Sequence, residues 1–213
     1  MTNNDTYNNI FFLAQQSHAT LVAVSKTKPI ADIQALYNLG QKDFGENYVQ
    51  ELVNKKKELP QDIRWHFIGH LQSNKVKEIA CFIHLIHTVD SYKLLKEIDK
   101  QAQKANRTID CLLQISIAEE ETKFGMNALE LKELISTIQT SPLLHVRIVG
   151  LMGMATFTTD ASKIRKEFQL LKKTFDTYKN AQAKNYALHI LSMGMSSDYA
   201  IALEEGSTML RIG

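Results

Sequence analysis

The sequence is poor in the residues that announce special architectures. It holds two cysteines, Cys81 and Cys111, in 213 residues. Two thiols among apolar neighbours cannot build a disulfide framework, so a small stapled fold is excluded. Buried free thiols in a reducing compartment, the cytoplasm, are expected. Three prolines and nine glycines form no linker and no low-complexity tract. No apolar run reaches the roughly 20 residues of a membrane helix. The polar start MTNNDTYNN lacks the basic-then-apolar order of a signal peptide. An excess of one charge is also missing, since 25 Lys and Arg face 23 Asp and Glu, for a net charge of +2. The single basic run, Lys55 to Lys57, precedes Glu58 and reads as a solvated helix face, so charge does not imply nucleic acid. Glycine fingerprints for dinucleotides and triphosphates are absent, as is a nucleophile elbow.

What is present is ordinary globular composition, with 44% apolar and 23% charged residues, in a chain long enough for a sizeable core. A repeated unit runs through it. Short apolar runs at residues 21–25, 64–68, 84–89, 109–117, 146–152, 186–191 and 208–212 read as strands. Phe44 marks a very short strand between the first two. Helical patterns fill the spaces, at residues 4–17, 30–39, 48–59, 76–80, 92–104, 128–140, 162–178 and 199–203. Eight strands, nearly all separated by helices, predict a single α/β domain over 1–213, a (β/α)8 TIM barrel. A doubly wound open sheet is the alternative.

In such a barrel, function sits on the loops that leave the carboxyl ends of the strands. The distinctive polar words fall there. Lys26 ends the apolar stretch LVAVS. It either marks where a strand meets water or is an amine in a dry pocket, able to attack a carbonyl. Ser192 to Asp198 follow the seventh strand and Arg211 ends the eighth, where barrels hold phosphate. There Gly194 lets the backbone come close, and Ser197 or Asp198 can cap a short helix. Seven histidines invite a metal, but His66 and His70 share no helix face and no acidic or thiol partner stands at ligand spacing, so none is expected. Trp65 and Phe67 alternate with His66, which gives that strand two unlike faces. Met152, Met154, Met193 and Met195 read as core packing. Glu119 to Glu121 read as a solvated loop.

The words AVSKTKP, FGENYVQE, WHFIGHLQSNK, ETKFGM, GLMGMATF, LSMGMSSD and GSTMLRIG, in this order, resemble the pyridoxal-phosphate homeostasis protein family, of the proline-synthase co-transcribed type. The likeness runs from about residue 21 to 213. It implies the fold of the alanine racemase N-terminal barrel. It also implies pyridoxal 5'-phosphate, bound as a Schiff base on Lys26. Phosphate contacts fall on Ser192, Gly194, Arg211 and Gly213, Asn47 lies by the cofactor ring, and Lys123 is a secondary lysine near the site. The family continues past its RIG word, whereas this sequence stops at Gly213: either the usual C-terminal tail lies outside it, or the grip on the phosphate is weakened.

A carrier that keeps free cofactor low and supplies apo-enzymes is expected, as a monomer with no substantial turnover. Racemases and decarboxylases of this barrel type add a second domain, which is not expected here. An amino-acid racemase-like enzyme and a Schiff-base lysine aldolase acting on a sugar phosphate are the alternatives. The aldolase would need an acid–base network around the amine, and no candidate for one stands out.

Overall fold

A computed structural model describes residues 4–118 and 125–213. Eight strands form one closed parallel barrel in chain order: β1 (Thr20–Val24), β2 (Asp43–Glu46), β3 (Arg64–Phe67), β4 (Leu85–Val89), β5 (Ile109–Gln114), β6 (Val146–Met152), β7 (Tyr186–Ser192) and β8 (Met209–Ile212). Closure comes from β1 pairing with β8, where Val22 lies opposite Arg211. The helices α1 (Asn4–Gln16), α2 (Ile30–Asn38), α3 (Val49–Glu58), α4 (Val76–Ile79), α5 (Tyr92–Lys104), α6 (Ala128–Thr140), α7 (Ala161–Tyr178) and α8 (Tyr199–Glu204) alternate with the strands.

Local chemistry explains where the helices begin. Ser91 accepts from the N–H of Leu94 ahead of α5, and Asp160 accepts from the N–H groups of Ser162 and Lys163 at the start of α7. Asn127 and Glu130 form a reciprocal capping box at α6. The apolar stripe Ile164, Phe168, Leu171 and Phe175 of α7 is buried, as its spacing predicts.

Two layers of core follow from strand alternation. Trp65, Phe67, Phe44 and Phe168 belong to the outer layer, between barrel and helices. Val22, Leu85, Leu112, Val149, Met152 and Met209 form a smaller cluster inside the barrel. His66, between Trp65 and Phe67, points the other way, into the barrel. The methionine pairs split: Met152 belongs to the inner cluster and Met193 to the outer one.

Three expectations need correction. The second strand is not Phe44 alone but spans Asp43–Glu46 and pairs with β3 along its whole length. The fifth ends at Gln114, and Ile115 makes only an isolated bridge with Met126. Cys81 is exposed while Cys111 is buried. It follows α4 in a turn, where Ala80 and Ile83 take the inward positions.

Candidate functional site

The upper mouth of the barrel is built at the carboxyl ends of the strands. Lys26 stands just past β1 and is exposed. No closed dry pocket surrounds it, and among the described residues no hydrogen bond or ion pair engages its amine. Its neighbours are firmly held. Thr27 adopts a left-handed backbone with φ of 61°, which a β-branched residue resists. The Thr27 N–H donates to Glu51 Oε1 at 2.7 Å, which helps fix this turn.

Beneath the turn lies an ionic cluster that the sequence did not reveal. Lys55 is buried, and its ammonium donates to the Ser25 carbonyl at 2.6 Å, Glu46 Oε1 at 2.8 Å and Glu51 Oε1 at 2.6 Å. The run Lys55 to Lys57 is therefore not wholly a solvated face, because Lys55 points from α3 towards β1 and β2. Ser25 Oγ donates to the same Glu46 oxygen at 2.6 Å. Burial pushes the Glu46 carboxyl above its ordinary range, and the bonds from Lys55 and Ser25 only partly oppose it.

Asn47 follows β2, and its Oδ1 is buried without a partner. The backbone of Gly69 passes so close that a Cβ there would lie 2.3 Å from the Asn47 carbonyl oxygen. Only glycine fits such an approach.

Across the mouth, Ser192 ends β7 and Arg211 lies in β8, both buried. Arg211 Nη1 donates to Ser192 Oγ at 2.6 Å, and Nη2 to the Gly153 carbonyl at 3.1 Å. Burial pulls this guanidinium down to about 10, with Asp198 opposing. Gly194 has φ of 98°, and a Cβ there would lie 2.6 Å from Ala202 Cβ. Asp198 does not cap α8 with its side chain. It turns back instead and accepts from the Met195 N–H at 2.5 Å, closing the loop on itself. Gly213 is exposed and exchanges bonds with Ser196 Oγ through its N–H and carbonyl. Lys123 and Glu119 to Glu121 lie outside the described residues.

A polar chain crosses the barrel below this mouth. Asp43 Oδ1 meets His66 Nε2 at 3.0 Å, His66 Nδ1 meets His87 Nε2 at 2.9 Å, and His87 Nδ1 meets Ser192 Oγ at 3.2 Å. Contact between β4 and β7 is available only to side chains inside the barrel. At the lower end Arg64 donates through Nε and Nη2 to both oxygens of Asp43. Burial would raise the Asp43 carboxyl, but the bonds from Arg64 and His66 outweigh it and hold it at about 2. Burial drives the His87 imidazole well below its ordinary range, and neighbouring His66, Arg211 and His84 add to this.

The expectation that His66 lacks an acidic partner is overturned, because Asp43 reaches it from the next strand. Asp43, His66 and His84 bring possible ligand atoms within 4.8 Å of one another. Arg64 already supplies a positive charge to both Asp43 oxygens there.

These features suit the cofactor implied by the sequence words. An unengaged amine, an orphaned amide oxygen, a glycine turn with no room for a side chain and a buried guanidinium share one mouth. No helix among the described residues is long and apolar enough to cross a membrane.

The chain matches the alanine racemase N-terminal domain family over residues 4–213. It is 41% identical over 196 residues to a pyridoxal phosphate homeostasis protein of Aquifex aeolicus, covering 92% of this chain and 84% of that one. The structure of PipY from Synechococcus elongatus with PLP bound superposes with a TM-score of 0.84 at 36% identity, covering 97% and 96% of the two chains. An alanine racemase of Clostridium difficile shares the fold, with a TM-score of 0.72 at 12% identity, covering 96% of this chain and 55% of that one. The chain belongs to the alanine racemase N-terminal domain family and, within it, to the pyridoxal phosphate homeostasis proteins.

Proposed function

We propose that this single barrel domain binds pyridoxal 5'-phosphate at its upper mouth, with Lys26 as the covalent anchor, and acts as a carrier of the cofactor. The carrying observation is the unengaged Lys26 amine on the same rim as the buried Arg211–Ser192 pair. A homologue with 36% identity has a structure with PLP bound. Among the described residues Arg211 is a buried cation with no carboxylate bonded to it, and an anionic phosphate would supply the missing charge. Gly194 and Gly213 let the backbone come close to that phosphate, Ser192 lies beneath it, and Asn47 Oδ1 faces the ring side. The family words imply Lys123 as a secondary lysine.

When bound, the cofactor supplies an aldehyde that bonds reversibly to amines and a ring that withdraws electrons. The chain's own part is to hold it. Glu51 and Lys55 fix the turn that presents Lys26. No hydrogen-bonded acid or base among the described residues faces the Lys26 amine, and proton transfer in catalysis needs such a positioned partner. That supports holding and release over turnover. The names of the relatives point the same way. The two free cysteines suit a reducing compartment, here the cytoplasm, where apo-enzymes that use the cofactor would be the partners of a monomeric carrier.

The test is to load the protein with cofactor, reduce it with borohydride and map the modified peptide. Lys26 should carry the pyridoxyl group, and Lys26→Ala should lose the visible absorption band while keeping its unfolding midpoint. Label on Lys28 or Lys123 alone overturns the assignment. The same preparation, incubated with L-amino acids in heavy water, should show slow or no exchange of the α-proton. Lys26-dependent exchange at about 1 per second or faster would make it a racemase-like enzyme.

A further inference from the structure

The polar chain through the barrel has a direction, and that direction decides what Ser192 can offer a ligand. An ionised Asp43 only accepts, so His66 Nε2 must carry a proton and donate to it. If His66 is neutral, its Nδ1 accepts and His87 Nε2 donates to it. His87 Nδ1 is then an acceptor, and Ser192 must donate its hydroxyl proton to it. Ser192 Oγ already accepts from Arg211. In this state it has one lone pair left and no proton, which is the wrong group to meet a phosphate dianion.

The opposite direction needs one more proton. With both nitrogens of His66 protonated, His66 Nδ1 donates to His87 Nε2, and His87 Nδ1 donates to Ser192. The serine proton is then free to point out of the chain. We propose that His66 and His87 are positioning residues that set the direction of the Ser192 hydroxyl, and that seating a phosphate against Ser192 draws a proton into His66.

The inference rests on the assignment of Ser192 to the phosphate. Its steps balance without any change of oxidation state. A monoanionic phosphate, or water, gives a proton to Ser192 Oγ. The proton already on Ser192 passes to His87 Nδ1, and the proton on His87 Nε2 passes to His66 Nδ1. The added charge comes to rest beside the Asp43 carboxylate.

The surroundings fit that resting place. Asp43 of β2 touches His66 directly, whereas among the described residues no carboxylate bonds to His87. The other groups nearby are Arg64 on β3, His84 just before β4, Asp110 on β5 and Arg211 on β8. Depression of the His87 imidazole by burial is consistent with His87 only relaying the proton.

Nitrogen-15 NMR of the histidine rings reads tautomer and charge directly in the native protein. Pyridoxine 5'-phosphate is the probe, since it has ring and phosphate but no aldehyde to react with Lys26. At pH 8 without ligand, His66 and His87 should both be neutral with the proton on Nε2. With the probe, His66 should become an imidazolium and His87 should move its proton to Nδ1. Unphosphorylated pyridoxine should leave both unchanged.

Probe affinity in the native protein should fall as pH rises, by up to about tenfold per pH unit, the signature of one proton taken up. In His66→Gln that extra slope should vanish. Ring signals that stay fixed while the probe binds overturn the proposal. Failure of the phosphate assignment looks different: Ser192→Ala would bind the probe as tightly as native protein does.

Discussion

Two buried carboxylates stand on the same short strand and behave in opposite ways. Asp43 opens β2 at the lower mouth, and Glu46 closes it at the upper one. Each has a cation, Arg64 for Asp43 and Lys55 for Glu46. Yet Asp43 is held at about 2, while Glu46 lies above its ordinary range. The difference is how the oxygens are used. Both oxygens of Asp43 take bonds from the Arg64 fork, and His66 adds a third. In Glu46 one oxygen takes the bonds from Ser25 and Lys55, and Oε2 is buried without a partner. A nearby cation is therefore not enough to hold a buried carboxyl below its ordinary range. Both of its oxygens must be satisfied.

The largest break in this comparison comes from Lys55. Removing one partner of a buried pair strands the other, at about 3–5 kcal/mol. Lys55→Met should lower the unfolding free energy at pH 7 by about that much, measured by urea denaturation. Adding Glu46→Gln should restore most of the loss, since no buried charge is then stranded. Failure of the double variant to recover would mean that the bonds of Lys55 to the Ser25 carbonyl and Glu51 dominate.

Asp43 comes next. The drop from its ordinary 3.8 to about 2 is worth about 2.5 kcal/mol. A depressed carboxyl stabilises fully above pH 3.8 and loses that contribution as pH falls through about 2. Asp43→Asn should therefore cost roughly 2.5 kcal/mol at pH 7 and very little at pH 2. An equal loss at both pH values would assign the effect to packing.

Arg211 extends the comparison to a buried cation without a bonded carboxylate among the described residues. Charge-assisted hydrogen bonds are worth about 1.5–3 kcal/mol, so Arg211→Ala should weaken binding of the phosphorylated cofactor about 10- to 150-fold. Unphosphorylated pyridoxal should lose much less. Equal losses for both would make Arg211 structural, through its bonds to Ser192 and Gly153.

The barrel was legible because each strand and helix advertises itself locally. Residues 64–68 alternate, α7 repeats its stripe, and polar words fall at strand ends. Chain order then brings Lys26 and Arg211 to one mouth, since β1 closes on β8. The partners of these residues were not legible. Lys55 lies in a run of three lysines, and nothing local separates the one facing Glu46 from the two beside it. Ser192 and His87 are 105 residues apart in sequence, and only barrel closure makes them neighbours. Strand β2 is faint in the sequence because it has four residues, one of them a glycine. Cys81 was misjudged because apolar neighbours in sequence do not say which way a turn faces.

The smallest effect should come from Glu46→Gln alone, and its pH dependence separates the two carboxylates. Glutamine resembles the protonated form of Glu46. A raised carboxyl stabilises fully below its ordinary value of 4.5 and loses that contribution as pH rises through its folded value. Near pH 4.5 and below, native and variant should therefore be close in unfolding free energy. As pH rises towards neutral, the native protein should lose ground against the variant, because only native Glu46 must ionise with Oε2 unbonded. Asp43 has the opposite slope, and it acts at lower pH. Urea denaturation of both proteins from pH 4 to 8 gives the difference curve. A variant that instead becomes relatively weaker as pH rises would show that Lys55 holds Glu46 ionised despite its unpaired oxygen, and the contrast between the two ends of β2 would fail.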